Sequence, residues 1–213
     1  MSSSRKLCVF CDSPATTKDH VPPKCIFPGD RRKNLKTVPA CHACNSATKK
    51  DDEYFRIVVA TAANDSDSAG AILRNKILPG AKVRPGLLKQ VIGTIEPIDI
   101  HSDRGIYMGQ KPAFTYDASR VHPIVEKIVK GLFYIHNAQP LRTPYRVDDF
   151  RLQPDLPDEA IAAVSSLPLH SVEALVFEYR FYWDQSNVNY SYWFLMFYRS
   201  VLFFSRTVSD AEL

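Results

Sequence analysis

The chain has 213 residues, 45% of them hydrophobic and 23% charged, which excludes a disordered polyelectrolyte and leaves ample material for a core. The net charge of +4 is uneven, +7 over residues 1–50 and −3 over residues 51–213, so a polyanion is drawn to the N-terminal end. The most apolar run, residues 193–204, contains Arg199 and falls well short of the ~20 residues of a spanning helix, which argues against a membrane role.

Residues 1–6 are polar and expected to fray. They lead into few apolar residues before Cys11, so no export signal is read there. A cytoplasmic setting with reduced thiols is the expectation. Cys8-x2-Cys11 forms a tight knuckle, followed by a turn around Pro14. Residues 18–21 should be extended, because Pro22 steers Val21 away from helix. Pro22, Pro23 and Pro28-Gly29 disfavour a helix in this stretch. Residues 30–34 read as a basic loop, and 35–39 as an extended run into Cys41-x2-Cys44. From Ser46 the pattern turns helical, with Tyr54, Ile57, Val58, Thr61 and Ala62 on one face. Asn45 is placed to act as N-cap, and Asn64 begins the stop.

Residues 68–78 predict a second helix, ended by Pro79-Gly80, and 87–92 a third. Residues 95–100, 106–108 and 114–116 read as strands, with turns at 102–105 and 109–112. Residues 120–135 give the clearest helix: Val121, Ile124, Val125, Ile128, Leu132 and Ile135 line one side, and Pro123 falls in the first turn, where it is tolerated. Residues 137–157 carry four prolines and read mostly as loop. A short helix over 157–166 has acids in its first turn. A hairpin closes the chain: residues 177–183 alternate aromatic and polar, 184–189 turn, and 190–204 return with a bend near Arg199-Ser200. These aromatics suit a core or a subunit contact better than a base-stacking platform.

The chemistry concentrates between Cys8 and Asn45. Two Cys-x2-Cys knuckles supply four thiolates with the pairing of a structural zinc site. Cys25 has no partner and reads as a small buried hydrophobe. Closing the zinc site ties residues 8–11 to 41–45, which places Asp19-His20 inside a closed loop near Asn45. Asp19 and Asn45 offer oxygen to a hard cation such as Mg²⁺ or Mn²⁺, and His20 beside them can serve as general base for water.

The order Cys-x2-Cys, Asp19-His20-Val21-Pro22-Pro23-Lys24, Val38-Pro39-Ala40-Cys41 and Cys44-Asn45 resembles the HNH endonucleases, the ββα-metal or His–metal finger nucleases, in their four-cysteine form. The resemblance covers about residues 8–60. It implies a zinc-stabilised ββα-metal (HNH) module over residues 1–64; with the elements read above, a mixed helical and antiparallel-sheet region over 65–213 completes an α+β protein. It implies that His20 is the base, that Asp19 and Asn45 bind the catalytic metal, that the four cysteines hold zinc, and that cleavage leaves 5′-phosphate and 3′-hydroxyl ends. One position departs from the family: Lys36 stands where a middle Asn or His is usual, five residues before the second knuckle. Its bracing role would pass to Asn34 or to a backbone group.

DNA is the expected substrate, with RNA as the alternative. Arg31, Arg32, Lys33, Lys36, Lys49 and Lys50 are the candidate phosphate contacts. Residues 65–213 are read as a scaffold or as the surface for a homodimer or partner protein. The rival readings are a non-catalytic zinc module that binds nucleic acid or protein, and a nuclease subunit active only with a partner.

Overall fold

The computed structural model describes residues 6–63, 66–83, 85–102, 104–152 and 156–212. The frayed start and the helix stop at Asn64 lie outside these residues. The fold is mixed α/β, and its N-terminal part is a β-β-α arrangement beside a four-cysteine cluster. Strands β1 (Thr17–Val21) and β2 (Lys36–Ala40) form an antiparallel hairpin in which His20 faces Thr37 and Asp19 faces Val38. Between them only a single 3₁₀ turn, Lys24–Ile26, interrupts the loop, in keeping with its prolines. The Val21–Pro22 and Thr143–Pro144 peptides are cis.

The helical segment after the second knuckle begins earlier than the sequence suggests. Cys41, not Asn45, is the N-cap: its Sγ accepts from the Cys44 N–H, and α1 runs His42–Ala47. Thr48 breaks the run, and α2 spans Lys49–Ala62. A thiol can cap because the knuckle already bends the chain so that amides point at sulfur, a geometry that apolar periodicity does not register.

Expectations for the next two segments also need correction. Pro79-Gly80 does not end the second helix: α3 (Asp67–Ile72), a π-helical turn (Leu73–Ile77) and α4 (Leu78–Val83) follow without a gap. The wide turn resets the hydrogen-bond ladder, so Pro79 falls in a first turn, where its missing N–H costs little. Helix α5 spans Pro85–Ile92. The predicted turn at 109–112 lies instead inside strand β4 (Tyr107–Ala113), which pairs with β3 (Glu96–His101), and residues 114–116 are not a strand. Ile98, Tyr107 and Met108 on this hairpin are exposed.

Helix α6 (Ala118–Asn137) is the axis of the molecule. Asp117 caps it by accepting from the Ser119 N–H. Val121, Ile124, Val125, Ile128, Leu132 and Phe133 are all buried, at ~1.5–3 kcal/mol for each large side chain removed from water. One side meets α2 and the β1–β2 hairpin; the approach is so close at Gly131 that a Cβ there would lie 2.5 Å from Val21 Cγ2.

The rest is a five-stranded antiparallel sheet, ordered β5-β9-β8-β7-β6. Strand β5 (Tyr145–Leu152) lies in a stretch whose prolines suggest loop. Those prolines sit outside the strand, and as an edge strand paired only to β9 it tolerates a bulge after Asp148. Helix α7 spans Asp158–Ser166 and β6 His170–Val172. The closing hairpin is a three-stranded meander: β7 (Phe177–Trp183), β8 (Ser191–Phe197) and β9 (Val201–Ser209). The bend near Arg199 is a full reversal, because Tyr198 and Arg199 both take φ above +50°. Trp193, Phe177, Phe197 and Phe203 are fully buried, so these aromatics form core. The same continuous core takes in Phe27, Phe55 and Val58. Among the described residues no helix is long and apolar enough to cross a membrane.

Candidate metal centre and the adjoining acid–histidine site

The β1–β2 hairpin and the start of α1 bring Cys8, Cys11, Cys41 and Cys44 together, with all four sulfurs within 4.8 Å of one another. Cys11 and Cys41 Sγ are 3.7 Å apart, close to the ~3.8 Å edge of a tetrahedron with 2.3 Å zinc–sulfur bonds. The two knuckles repeat one device: Phe10 N–H donates to Cys8 Sγ and Cys44 N–H to Cys41 Sγ, at 3.4 and 3.3 Å. Amides aimed at sulfur stabilise thiolates. Hydrogen bonds from Ser13 bring the Cys11 thiol down to about 6, so it ionises at neutral pH. Burial and the neighbouring cysteines push Cys44 up. The donor set, spacing and charge fit zinc. Cys25 stands apart; burial raises its thiol to about 12, and it donates to the Asp52 carbonyl, as an inert small hydrophobe would.

Two cations from the middle of the chain clamp this centre. Arg142 donates to the carbonyls of Cys8, Val9 and Cys11 and pairs with Asp12. Lys127, on α6, donates to the Cys44 carbonyl and to Thr48 Oγ1, and lies over the Phe10 ring. Each knuckle therefore has its own brace. Sequence reasoning finds neither residue. The signal for Lys127 is a lysine at the edge of an apolar stripe, between Ile124 and Ile128. For Arg142 the sequence holds no such signal.

The acid–histidine pair lies beside the second knuckle. Asn45 Nδ2 donates to Thr17 Oγ1 and to the Lys18 carbonyl, which pins α1 to β1 next to Asp19. Asp19, His20, Thr48, Asp52 and Lys127 line one small space of about 10 Å³, room for roughly one water. Lys127 Nζ is 2.7 Å from Asp19 Oδ2. A protein cation thus occupies the Asp19 carboxylate in this conformation. Burial, with Lys24 and Arg32 adding to it against Asp19, holds His20 below the ordinary histidine value, so its imidazole is neutral at pH 7. Burial raises Asp52 to about 6, against the pull of Lys127.

The basic candidates divide. Lys33, Lys36, Lys49 and Lys50 are exposed. Arg31 is engaged by the Ala174 carbonyl and Arg32 by the Phe27 carbonyl. The backbone N–H of Asn34 donates to Glu173 Oε1. No protein-family model, curated protein or solved structure matches the chain.

Proposed function

We propose that this chain is a zinc-stabilised ββα module of the HNH type that binds nucleic acid, with residues 1–64 as the module and 65–213 as its scaffold and partner surface. The observation that carries this reading is the four-sulfur cluster closing a ββα hairpin at the positively charged end of the chain. A binding module needs only that hairpin, its zinc and the exposed lysines around it.

A second reading is metal-dependent phosphodiester hydrolysis, on DNA first, by a centre that is closed in this conformation. Two observations favour it: the neutral His20 imidazole beside Asp19, and the tie from Asn45 to the same strand. His20 would accept a proton from water, and Asp19 and Asn45 would offer oxygens to a divalent cation. Such a cation, when bound, supplies charge stabilisation at the phosphoryl and leaving-group oxygens. Lys127 must first leave Asp19, which makes a partner or the nucleic acid itself the natural trigger.

The deciding experiment pairs duplex binding with plasmid nicking in Mg²⁺ or Mn²⁺. Wild-type nicking that falls ~10²–10⁴-fold in His20→Ala, with binding kept, selects hydrolysis. Binding without nicking in either protein selects the non-catalytic module over a nuclease that the nucleic acid itself opens. Absence of binding by the zinc-loaded wild type removes both.

A further inference from the structure

The carbonyl oxygen of Phe27 accepts from two cations at once, Arg32 Nε at 3.1 Å and Lys76 Nζ at 2.9 Å. The two donors therefore lie within about 6 Å of each other. Helix α2, which carries Arg56, packs against both the π-helical turn that carries Lys76 and the 3₁₀ turn that begins at Lys24. Burial first, then Arg32, Arg56 and Lys24, bring Lys76 down to about 8. Lys24 follows His20 by four residues, at the start of the 3₁₀ turn that leaves β1.

Opposing charge is scarce. Glu53 pairs with Arg56 Nη2 at 3.1 Å. Cys25 is held as a neutral thiol. Among the described residues no carboxylate lies within 4.0 Å of the Lys24, Arg32 or Lys76 cation. Arg56 Nε is buried and has no acceptor. A donor left in that state is costly unless something else satisfies it.

A plain tether for the loop would need one donor on Phe27. The structure gathers four cations, one with an unused N–H, and delivers Lys76 from a π-helical turn, a distortion often found at functional sites. We propose that Lys24, Arg32, Arg56 and Lys76 form an anion subsite beside His20 that holds a backbone phosphate of nucleic acid. Phosphate suits it because its several oxygens accept from planar guanidinium and ammonium donors arriving from different directions. Lys24 is exposed and marks the open side. The subsite extends phosphate contact beyond residues 1–50, through Arg56 and Lys76. It rests on the nucleic-acid reading above.

The test uses the full, zinc-loaded chain, with Lys76→Met, Arg56→Gln and the charge-retaining Lys76→Arg. Thermal unfolding is compared in inorganic phosphate and in chloride at matched ionic strength. Phosphate should raise the wild-type Tm by mass action, and Lys76→Arg should keep most of that gain. Lys76→Met and Arg56→Gln should each lose most of it. In parallel, the salt dependence of duplex binding should flatten by about 0.9 in log–log slope for Lys76→Met. A phosphate gain that disappears in both neutral variants, with no duplex binding by the wild type, supports the subsite and sinks only the nucleic-acid reading. Duplex binding with an unchanged slope in Lys76→Met, and a phosphate gain equal in all four proteins, overturns the subsite and leaves that reading standing.

Discussion

The four-cysteine hairpin and the five-stranded sheet share one chain and are held by different forces. Around the sulfurs the buried apolar patch is only Cys8, Ala40 and Cys41. What organises that end is the capacity for a metal, amides aimed at sulfur, and carbonyls taken by Arg142 and Lys127. The sheet instead stacks aromatics: Phe181 on Trp193, Phe177 against Phe197, Phe197 against Phe203. Polar groups and a metal site can be re-arranged by a change of ligand; a close-packed aromatic core cannot. The difference places adaptable chemistry at one end and a rigid support behind it.

The largest expected effect is the loss of zinc. Cys41→Ser should bind less than one zinc per chain and lose amide protection over the hairpin, since a structural zinc contributes ~10–16 kcal/mol in small modules. Metal analysis with hydrogen exchange reads both. Protection should survive in β7 to β9, and its collapse there would show that the two regions stand or fall together.

Trp193→Ala reverses the experiment. Removing a fully buried Trp should cost ~3–5 kcal/mol in denaturant unfolding, with zinc content unchanged below the transition. Zinc lost in the folded mutant would break the contrast from the other side.

Lys127→Met probes the seam between the regions. Removing a cation 2.7 Å from Asp19 should tighten Mn²⁺ binding, read by the electron spin resonance of free Mn²⁺, by ~10-fold or more. Unchanged Mn²⁺ affinity would mean that Lys127 is a brace and nothing else.

Asp52→Asn gives the smallest shift. Burial raises this carboxyl to about 6 from an unfolded value near 3.8, so stability falls as pH rises from about 4 to about 6, the full penalty holds above that, and well below pH 4 the group is protonated in both states. The mutant should melt higher than wild type at pH 8 and at the same temperature near pH 3. An advantage that does not fade on acidification would contradict the burial account.

Features set by local spacing are legible in the sequence. The four cysteines meet as their x2 spacing implies, and the apolar stripe of residues 120–135 becomes the central helix. What the sequence hides depends on distant partners or on one-residue irregularities. Lys127 and Arg142 meet the knuckles across 83 and 134 residues. Asn45 resembles a cap but sits inside α1, because Cys41, four residues earlier, takes that role. The π turn lets a helix run through Pro79, and Tyr198-Arg199 turn one expected strand into two. Lys76 reads as one more surface lysine until its Nζ is found on Phe27.

Chain order also sets a timetable for these braces during synthesis. Both knuckles emerge within the first 45 residues, whereas Arg142 and Tyr198, whose hydroxyl donates to the Ile26 carbonyl, come 134 and 172 residues after the carbonyls they hold. At ~5–20 residues per second, the hairpin waits on the order of ten seconds for them. During that interval metal capture can already close the two knuckles, and Lys76, which holds the Phe27 carbonyl, has emerged. Until β8 and β9 are made, Phe55 lacks the Phe197 and Phe203 rings it packs against, with or without metal, so zinc supply decides only whether the hairpin is already closed while the chain waits.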